Sequence, residues 1–167
     1  MDDERRRGPL TLEHDEPGFA IASASVVIVV VWGREARAED IAQLSAVQRL
    51  TIGRHGRCAV VNVIRAGLSL SVDPSVREAS AANIREFEGA SLAASLVVEA
   101  GGLRAAFFRS VLAGIQMVSR APLAQGVFST IEEALAWTLA TPGLDSPLAL
   151  ADLGPAVHAL ADHYGVA

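Results

Sequence analysis

The segment Ser25-Val-Val-Ile-Val-Val-Val-Trp32 decides the class of fold. It is a continuous apolar run of mostly β-branched residues, and Gly33 follows it. A strand that is buried on both faces has this pattern, whereas a half-solvated strand alternates between apolar and polar residues. A membrane-spanning helix needs about 20 apolar residues, so this run is too short to be one. The segment therefore predicts a central, buried β-strand.

Further segments of the same kind alternate with segments of helical periodicity. Strands are predicted at Cys58–Ile64, Leu92–Val98 and Val127–Phe128, with helices following each strand. This alternation predicts an α/β fold. We expect a mostly parallel sheet with about four helices, plus a C-terminal helical extension. The first two strands, 25–32 and 58–64, should be adjacent and fully covered.

Local sequence signals place the helix boundaries. Asp73 and Pro74 are typical of an N-cap and the first helical position. Thr130 and Glu133 have the spacing of a capping box. In the helix that begins near Glu39, the apolar periodicity places Leu50 on the inner face. In the helix that follows Leu92–Val98, Leu103 is placed on the inner face for the same reason.

Composition divides the chain into three parts. Residues 1–18 are polar and predict an N-terminal arm with one edge strand near Leu10–Glu13; residues 19–140 form the domain; residues 141–167 are a linker and a short amphipathic tail. Gly154-Pro155 predicts that the tail forms two short helices.

The tail carries an apolar stripe that has to be covered if the tail is ordered. An isolated helix of this length is only marginally stable in water. The stripe can pack on its own domain, or it can dock on a neighbouring subunit or another protein. For the second alternative, Val157, Leu160 and Tyr164 are the candidate partner-binding residues.

Bulk composition limits the class of protein. The net charge is −5 and the pI is about 5.3, which argues against binding nucleic acid or an anionic membrane. Cys58 is the single cysteine of this sequence, so no internal disulfide is expected, and the first residues do not have the pattern of a secretory signal. We therefore expect a cytoplasmic protein.

Several segments together resemble the SpoIIAA-like proteins of bacteria, also described as STAS/SEC14-domain proteins. The similarity lies in the run ending at Gly33, in Glu39-Asp40, and in Ala93-Ala-Ser-Leu-Val-Val-Glu99. It continues with Ser119-Arg120-x-Pro122 and Phe128-Ser-Thr-x-Glu-Glu-Ala-x-Ala-Trp137, and it covers roughly residues 10–140. The resemblance implies an α/β, STAS-like domain with a small mixed, mostly parallel sheet of 4–5 strands and helices packed against it. It also implies a protein that is not an enzyme and acts by binding protein partners, including copies of itself.

Better-known STAS domains are switched by phosphorylation of a serine at the start of the second helix, within a pattern like Asp-Ser-Ser-Gly-Leu. This chain departs from that pattern with Ser71-Val-Asp-Pro-Ser-Val-Arg77. Ser75 is the nearest equivalent and is the candidate phosphosite. A phosphate there would meet the positive end of a helix dipole.

Arginines near the third helix are candidates for binding an acidic partner: Arg104, Arg109 and Arg120. The alternative is that they are solvated, with their stems covering apolar surface. Gly101-Gly102 could form an anion-binding turn or simply a tight connection.

The alternative function is a small-ligand or lipid-binding module of the SEC14-like type. Because the helices are short, we expect instead a packed interior without room for a ligand. The chain has no Gly-x-Ser-x-Gly or Ser-x-x-Lys motif, and its histidines lack the spacing of metal ligands. We therefore expect no enzymatic activity, no cofactor and no metal, and we expect Cys58 to fill the core.

Overall fold

The structure, a computed structural model, describes residues 6–65, 68, 72–99 and 102–164. Strands and helices alternate along most of the chain. The strands are β1 (Arg6–Arg7), β2 (Leu10–Glu16), β3 (Phe19–Ala24), β4 (Val27–Trp32), β5 (Cys58–Ile64), β6 (Ser91–Val98) and β7 (Ala124–Phe128). The helices are α1 (Ala38–His55), α2 (Pro74–Glu86), α3 (Leu103–Ser119), α4 (Ile131–Leu139) and α5 (Leu150–His163).

The strands form a single mixed sheet in which their spatial order is their chain order. Strands β1 to β4 are an antiparallel meander, and β4 to β7 run parallel to one another. The α/β class and the mixed sheet are confirmed. The predicted number of 4–5 strands is wrong, because the sheet has seven among the described residues.

The additional strands come from the N-terminal hairpins. The predicted edge strand near Leu10–Glu13 extends to Glu16, and β3 pairs along its whole length with β4. The sequence of β3, Phe-Ala-Ile-Ala-Ser-Ala, is rich in alanine and has a weak intrinsic strand signal. It is a strand because it is buried beside β4.

The predicted neighbours β4 and β5 are adjacent and parallel, with Val29 opposite Val61. Every residue of β4 is buried, and in β5 only Asn62 is partly exposed. Side chains alternate between the two faces of the sheet, so that Val29 and Val30 belong to opposite apolar clusters. The prediction from the continuous β-branched run is confirmed.

Helices cover both faces of the sheet. Helices α4 and α5 pack on one face, and α1, α2 and α3 form the layer on the other face. The predicted caps of two helices are present: Asp73 accepts a hydrogen bond from the backbone of Ser75, and Thr130 accepts one from the backbone of Glu133.

The C-terminal tail packs on its own domain. Val157 and Leu160 are fully buried and Tyr164 is 6% exposed, all within the cluster between α5 and the sheet. In this structure these three candidate partner-binding residues are therefore not a free docking surface. The predicted break at Pro155 is also wrong, because α5 continues through it. Pro155 and Ala151 are both exposed, so water can reach the carbonyl that lacks its helical partner.

Two leucines predicted to lie on inner helix faces are exposed. Leu50 is 54% exposed, because it lies about 120° around α1 from Leu44, which faces the sheet. Leu103 is 80% exposed and is the first residue of α3.

Candidate ligand-binding cavity

The layer formed by α1, α2 and α3 does not close against the sheet. Helix α2 packs mainly against α1 and α3, while α1 and α3 contact the strands directly. The space beneath α2 is a cavity of about 500 Å³. Sites for small molecules typically have volumes of about 300–1,000 Å³.

Most of the cavity wall is apolar. Val60 and Leu96 lie on the sheet side, Leu44 lies on α1, and Phe108 and Leu112 lie on α3. The small side chain of Ala94 lies on the sheet side between larger neighbours and leaves part of the space free. The wall is therefore suited to an apolar molecule.

The cavity is elongated along the parallel strands. It extends from Trp32 at the carboxyl end of β4 to Ser91 and Gln125 at the amino ends of β6 and β7. A strand of the length of β5 spans about 20 Å. In open α/β sheets, ligands commonly bind at the carboxyl ends of the strands.

One pair of polar side chains lies on the sheet side of the cavity. Trp32 Nε1 donates a hydrogen bond to Asn62 Oδ1 at 3.0 Å, and Asn62 Nδ2 donates to the carbonyl of Ser95 at 3.3 Å. These bonds fix the indole and the amide in place. Asn62 is the polar residue in the otherwise apolar strand β5.

A second polar group lies between α1 and α2. Asn83 Nδ2 donates hydrogen bonds to Ser45 Oγ at 2.8 Å and to Gln48 Oε1 at 2.6 Å. Asn83 Oδ1 and the hydroxyl of Ser80 have no hydrogen-bond partner among the described residues, and both side chains belong to residues that line the cavity. They are free to bind a polar group of a ligand.

An ion pair that includes Arg34, which lines the cavity, lies near its carboxyl end. Both oxygens of Asp40 accept hydrogen bonds from Arg34, at 2.7 and 2.9 Å, and Glu16 accepts a third at 3.0 Å. Burial acts to raise the pKa of Asp40, but the hydrogen bonds from Arg34 and from the backbone of Arg37 outweigh it, so that the pKa lies below its ordinary value. Two carboxylates thus balance the charge of Arg34.

Arg104, unlike Arg34, has no carboxylate partner among the described residues. Its Nη1 donates to the carbonyl of Leu68 at 3.0 Å, but Nε and Nη2 are buried and meet no acceptor among the described residues. Leu68 lines the cavity, and so does Phe108, which lies one helical turn after Arg104 on α3. Arg104 is not itself among the residues that line the cavity, and its two unused donors are enclosed behind neighbours that do line it.

The three candidate arginines differ in their surroundings, and their role in binding an acidic partner stays a prediction. Arg109 and Arg120 are exposed and have no ion pair or hydrogen-bonded side chain among the described residues. Arg104 and Arg120 lie about 24 Å apart along the axis of α3.

Gly101 lies outside the described residues, and Gly102 precedes α3 with a φ of 72°.

Ser75 is exposed in the first turn of α2, as predicted. Its hydroxyl donates a hydrogen bond to Asp73 Oδ1 at 2.5 Å, and its backbone amide donates to the same oxygen at 2.7 Å. These bonds lower the pKa of Asp73. A phosphate on Ser75 would therefore adjoin an ionised carboxylate as well as a helix N-terminus. Its role as a phosphosite stays a prediction.

Cys58 is buried at the amino end of β5 and belongs to the apolar cluster beneath α1. Burial raises the pKa of its thiol. Among the described residues no cluster of histidine, cysteine and acidic side chains could hold a metal ion.

The expectation of a packed interior is wrong, and the cavity is the feature that the sequence analysis missed. The clues are small or polar residues at inward positions where large apolar ones are usual: Ala94, Asn62, Ser80 and Asn83. Their common location under α2 becomes evident only in the folded chain.

Comparison of the chain with protein-family models, with curated proteins and with solved structures found no match. In the part of the chain that the structure describes, no helix has both the length and the apolar character needed to cross a membrane.

Proposed function

We propose that this chain is a binding module for a small, largely apolar molecule, which occupies the cavity beneath α2. The cavity itself is the observation that carries the proposal. The cavity is partly open to solvent, so its apolar wall is in contact with water when nothing is bound, and covering apolar surface is favourable. A ligand would supply the contacts that the walls lack. This function is the small-ligand-binding alternative that the sequence leaves open, and the cavity gives it a specific site.

The arrangement of polar groups also favours a ligand. Binding sites are typically apolar with a few fixed polar groups that orient the bound molecule. Here Asn62 is fixed by Trp32, and Asn83 is fixed by Ser45 and Gln48. The free Oδ1 of Asn83 can accept a hydrogen bond from a bound hydroxyl or amide.

The chain contains its own fluorescent reporter for a test. Trp32 lines the cavity, whereas Trp137 packs against Phe128 on the other side of the sheet. A Trp137→Phe variant leaves Trp32 as the only tryptophan. Titration with decan-1-ol should then change the emission of Trp32 in a saturable way.

A cavity-filling variant is the matched control. Ala94→Phe in the same background should fold, with a cooperative thermal melt, and should lose the saturable response because its ring occupies the site. If the two proteins respond equally, or if neither responds, the cavity is not a binding site.

A second candidate is the protein-interaction role of a STAS-like domain. Its support is the exposure of two adjacent apolar residues at the end of α3: Met117 is 78% exposed and Val118 is 60% exposed. A self-association that uses them should be lost in Met117→Glu, measured as mass by light scattering. A wild-type monomer, or an unchanged oligomer in the variant, would count against it.

A further inference from the structure

We infer that the ligand of the cavity carries a primary ammonium group, which binds at the amino end of the cavity to Asn83 Oδ1 and to the carboxylate of Glu88. Both residues line the cavity. The apolar part of the ligand extends from there beneath α2 towards Trp32. This inference rests on the proposed function, because it identifies the chemical class of the molecule in the same cavity.

Asn83 offers the cavity a hydrogen-bond acceptor. The hydroxyl of Ser45 donates to the carbonyl of Ile41 at 2.9 Å, so its oxygen can only accept from Asn83. The amide is thereby oriented, and its Nδ2 uses both hydrogens, on Ser45 and on Gln48 Oε1. Oδ1 has no partner among the described residues, and it is not enclosed, since the enclosed partnerless side-chain atoms in that part of the chain all belong to Arg104. A ligand must therefore present a donor to Asn83.

This acceptor lies at the same end of the cavity as Glu88. Gln48 Oε1 accepts from Asn83, and Gln48 Nε2 lies 3.5 Å from Oγ of Ser91, the first residue of β6. Glu88 lies in the turn between α2 and β6, three residues before Ser91. Its side chain is exposed and forms no hydrogen bond or ion pair within the described ranges. A donor group held by Asn83 therefore shares the amino end of the cavity with a free carboxylate.

The charges along the cavity favour a cation over an anion. The charged residues that line it are Arg34, Glu35, Asp73 and Glu88. The charge of Arg34 is balanced by two carboxylates, whereas the three acids form no ion pair with any described residue. Arg85, close to Glu88 in the sequence, instead donates to the carbonyl of Val118. An ammonium group is attracted to this lining and has three N–H donors, so it can bind Asn83 and Glu88 together.

The test is calorimetric titration of the full chain at neutral pH with decylamine, which is protonated there, and with decan-1-ol. Glu88→Gln should weaken binding of decylammonium about threefold, the usual strength of an exposed ion pair, and should leave the affinity for decan-1-ol unchanged. Glu88→Arg reverses the charge and should weaken binding of decylammonium about tenfold or more. High salt should reduce both differences, because it screens exposed charges.

Decyltrimethylammonium tests the acceptor without a substitution, because it has the same charge and no N–H donor. Wild type should bind it about tenfold more weakly than decylammonium, since hydrogen bonds to charged groups have this strength. Glu88→Gln should weaken the binding of both cations by the same factor.

Two variants serve as controls. Glu78→Gln removes an exposed carboxylate of α2 that does not line the cavity, and it should bind decylammonium as wild type does. Ala94→Phe fills the cavity and should lose the binding of decylammonium. Thermal melts of all variants establish that they are folded.

The failures of the two proposals are distinguishable. The inference is wrong if folded Glu88→Gln and Glu88→Arg bind decylammonium as wild type does, if Glu78→Gln weakens binding as much as Glu88→Gln, if Ala94→Phe retains it, or if both cations bind wild type equally. Binding of decan-1-ol in any of these cases leaves the binding module intact. If wild type binds neither decylammonium nor decan-1-ol, the proposed function is wrong and the inference falls with it.

Discussion

Trp32 and Asn62 are joined by a hydrogen bond of 3.0 Å that runs diagonally between β4 and β5 on the wall of the cavity. The indole donates through Nε1, and the amide of Asn62 then donates to the carbonyl of Ser95 on β6. Three parallel strands are thus connected by side-chain bonds at the place where a ligand would lie. The two residues form a fixed polar edge in an apolar wall.

Replacement of Asn62 should be destabilising although the position lies in an apolar strand. Asn62→Leu removes the acceptor of Trp32 and leaves a partly buried indole donor unsatisfied, which costs about 1–3 kcal/mol. Urea denaturation should show this loss, with a shift in the emission of Trp32. The neighbouring exchange Val60→Ile is the control for a change in wall volume. Equal stability of Asn62→Leu and wild type would show that the bond contributes nothing.

Position 33 has room only for glycine, because the C-terminal end of α5 packs closely against it. A Cβ atom at this position would lie 2.1 Å from the carbonyl oxygen of Tyr164, so Gly33→Ala must displace the C-terminal end of the helix. We expect a loss of about 1–3 kcal/mol, together with disturbance of the hydrogen bond from Tyr164 to Asp15.

The matched control is Gly53→Ala, because Gly53 lies within α1 and a Cβ there meets nothing within 4 Å. It should increase stability by about 0.5–1 kcal/mol, the usual gain from alanine in a helix. If Gly33→Ala is as stable as wild type or more stable, the docking of Tyr164 against Gly33 is incorrect.

The ion pair of Arg34 and Asp40 should make stability depend on pH in the acid range. The pKa of Asp40 is lowered in the folded state, so its contribution is present above the ordinary carboxyl pKa of about 3.9. The contribution is lost as the pH falls through the lowered pKa, because the unfolded chain then binds the proton more readily.

The measurement is urea denaturation of Asp40→Asn at pH 7 and near pH 3. The variant should be less stable than wild type by about 2–4 kcal/mol at pH 7, with a smaller difference at low pH. Glu39→Gln, an exposed neighbour in the same helical turn, should match wild type at both pH values. A difference that stays constant with pH would contradict the ionic account.

Substitutions in the C-terminal tail should change the stability of the fold and not the oligomeric state of the protein. Val157 is fully buried against the sheet, so Val157→Asp places an unpaired charge in the core and should cost several kcal/mol. Ala159→Asp introduces the same charge at an exposed position of α5 and should melt like wild type. Loss of oligomeric mass with an unchanged melt of Val157→Asp would instead place the tail on a neighbouring subunit.

The sequence predicts the parts of this fold that depend on local patterns. The β-branched runs give β4 and β5 as adjacent buried strands, and Asp73 and Thr130 mark the helix starts. Strand β3 was missed, because its alanines become a strand only through burial beside β4. Pro155 was overestimated as a helix breaker, because its effect depends on whether the carbonyl one turn earlier is solvated.

The cavity could not be predicted in the same way. Periodicity shows which residues face inward, but it does not give the distance between two layers. That distance depends on α2 resting on α1 and α3, which is a property of three helices together. The unused donors of Arg104 are likewise visible only when the surroundings of the guanidinium are known.

The most direct test of the central claim locates the bound molecule. A decanol derivative with a terminal diazirine is irradiated with the protein, and the labelled peptides are identified by mass spectrometry. The account predicts labelling at cavity residues such as Val60, Leu96 and Phe108 in wild type, and loss of this labelling in Ala94→Phe. Labelling confined to the exposed Met117 and Val118, or equal labelling of the cavity residues in both proteins, would contradict it.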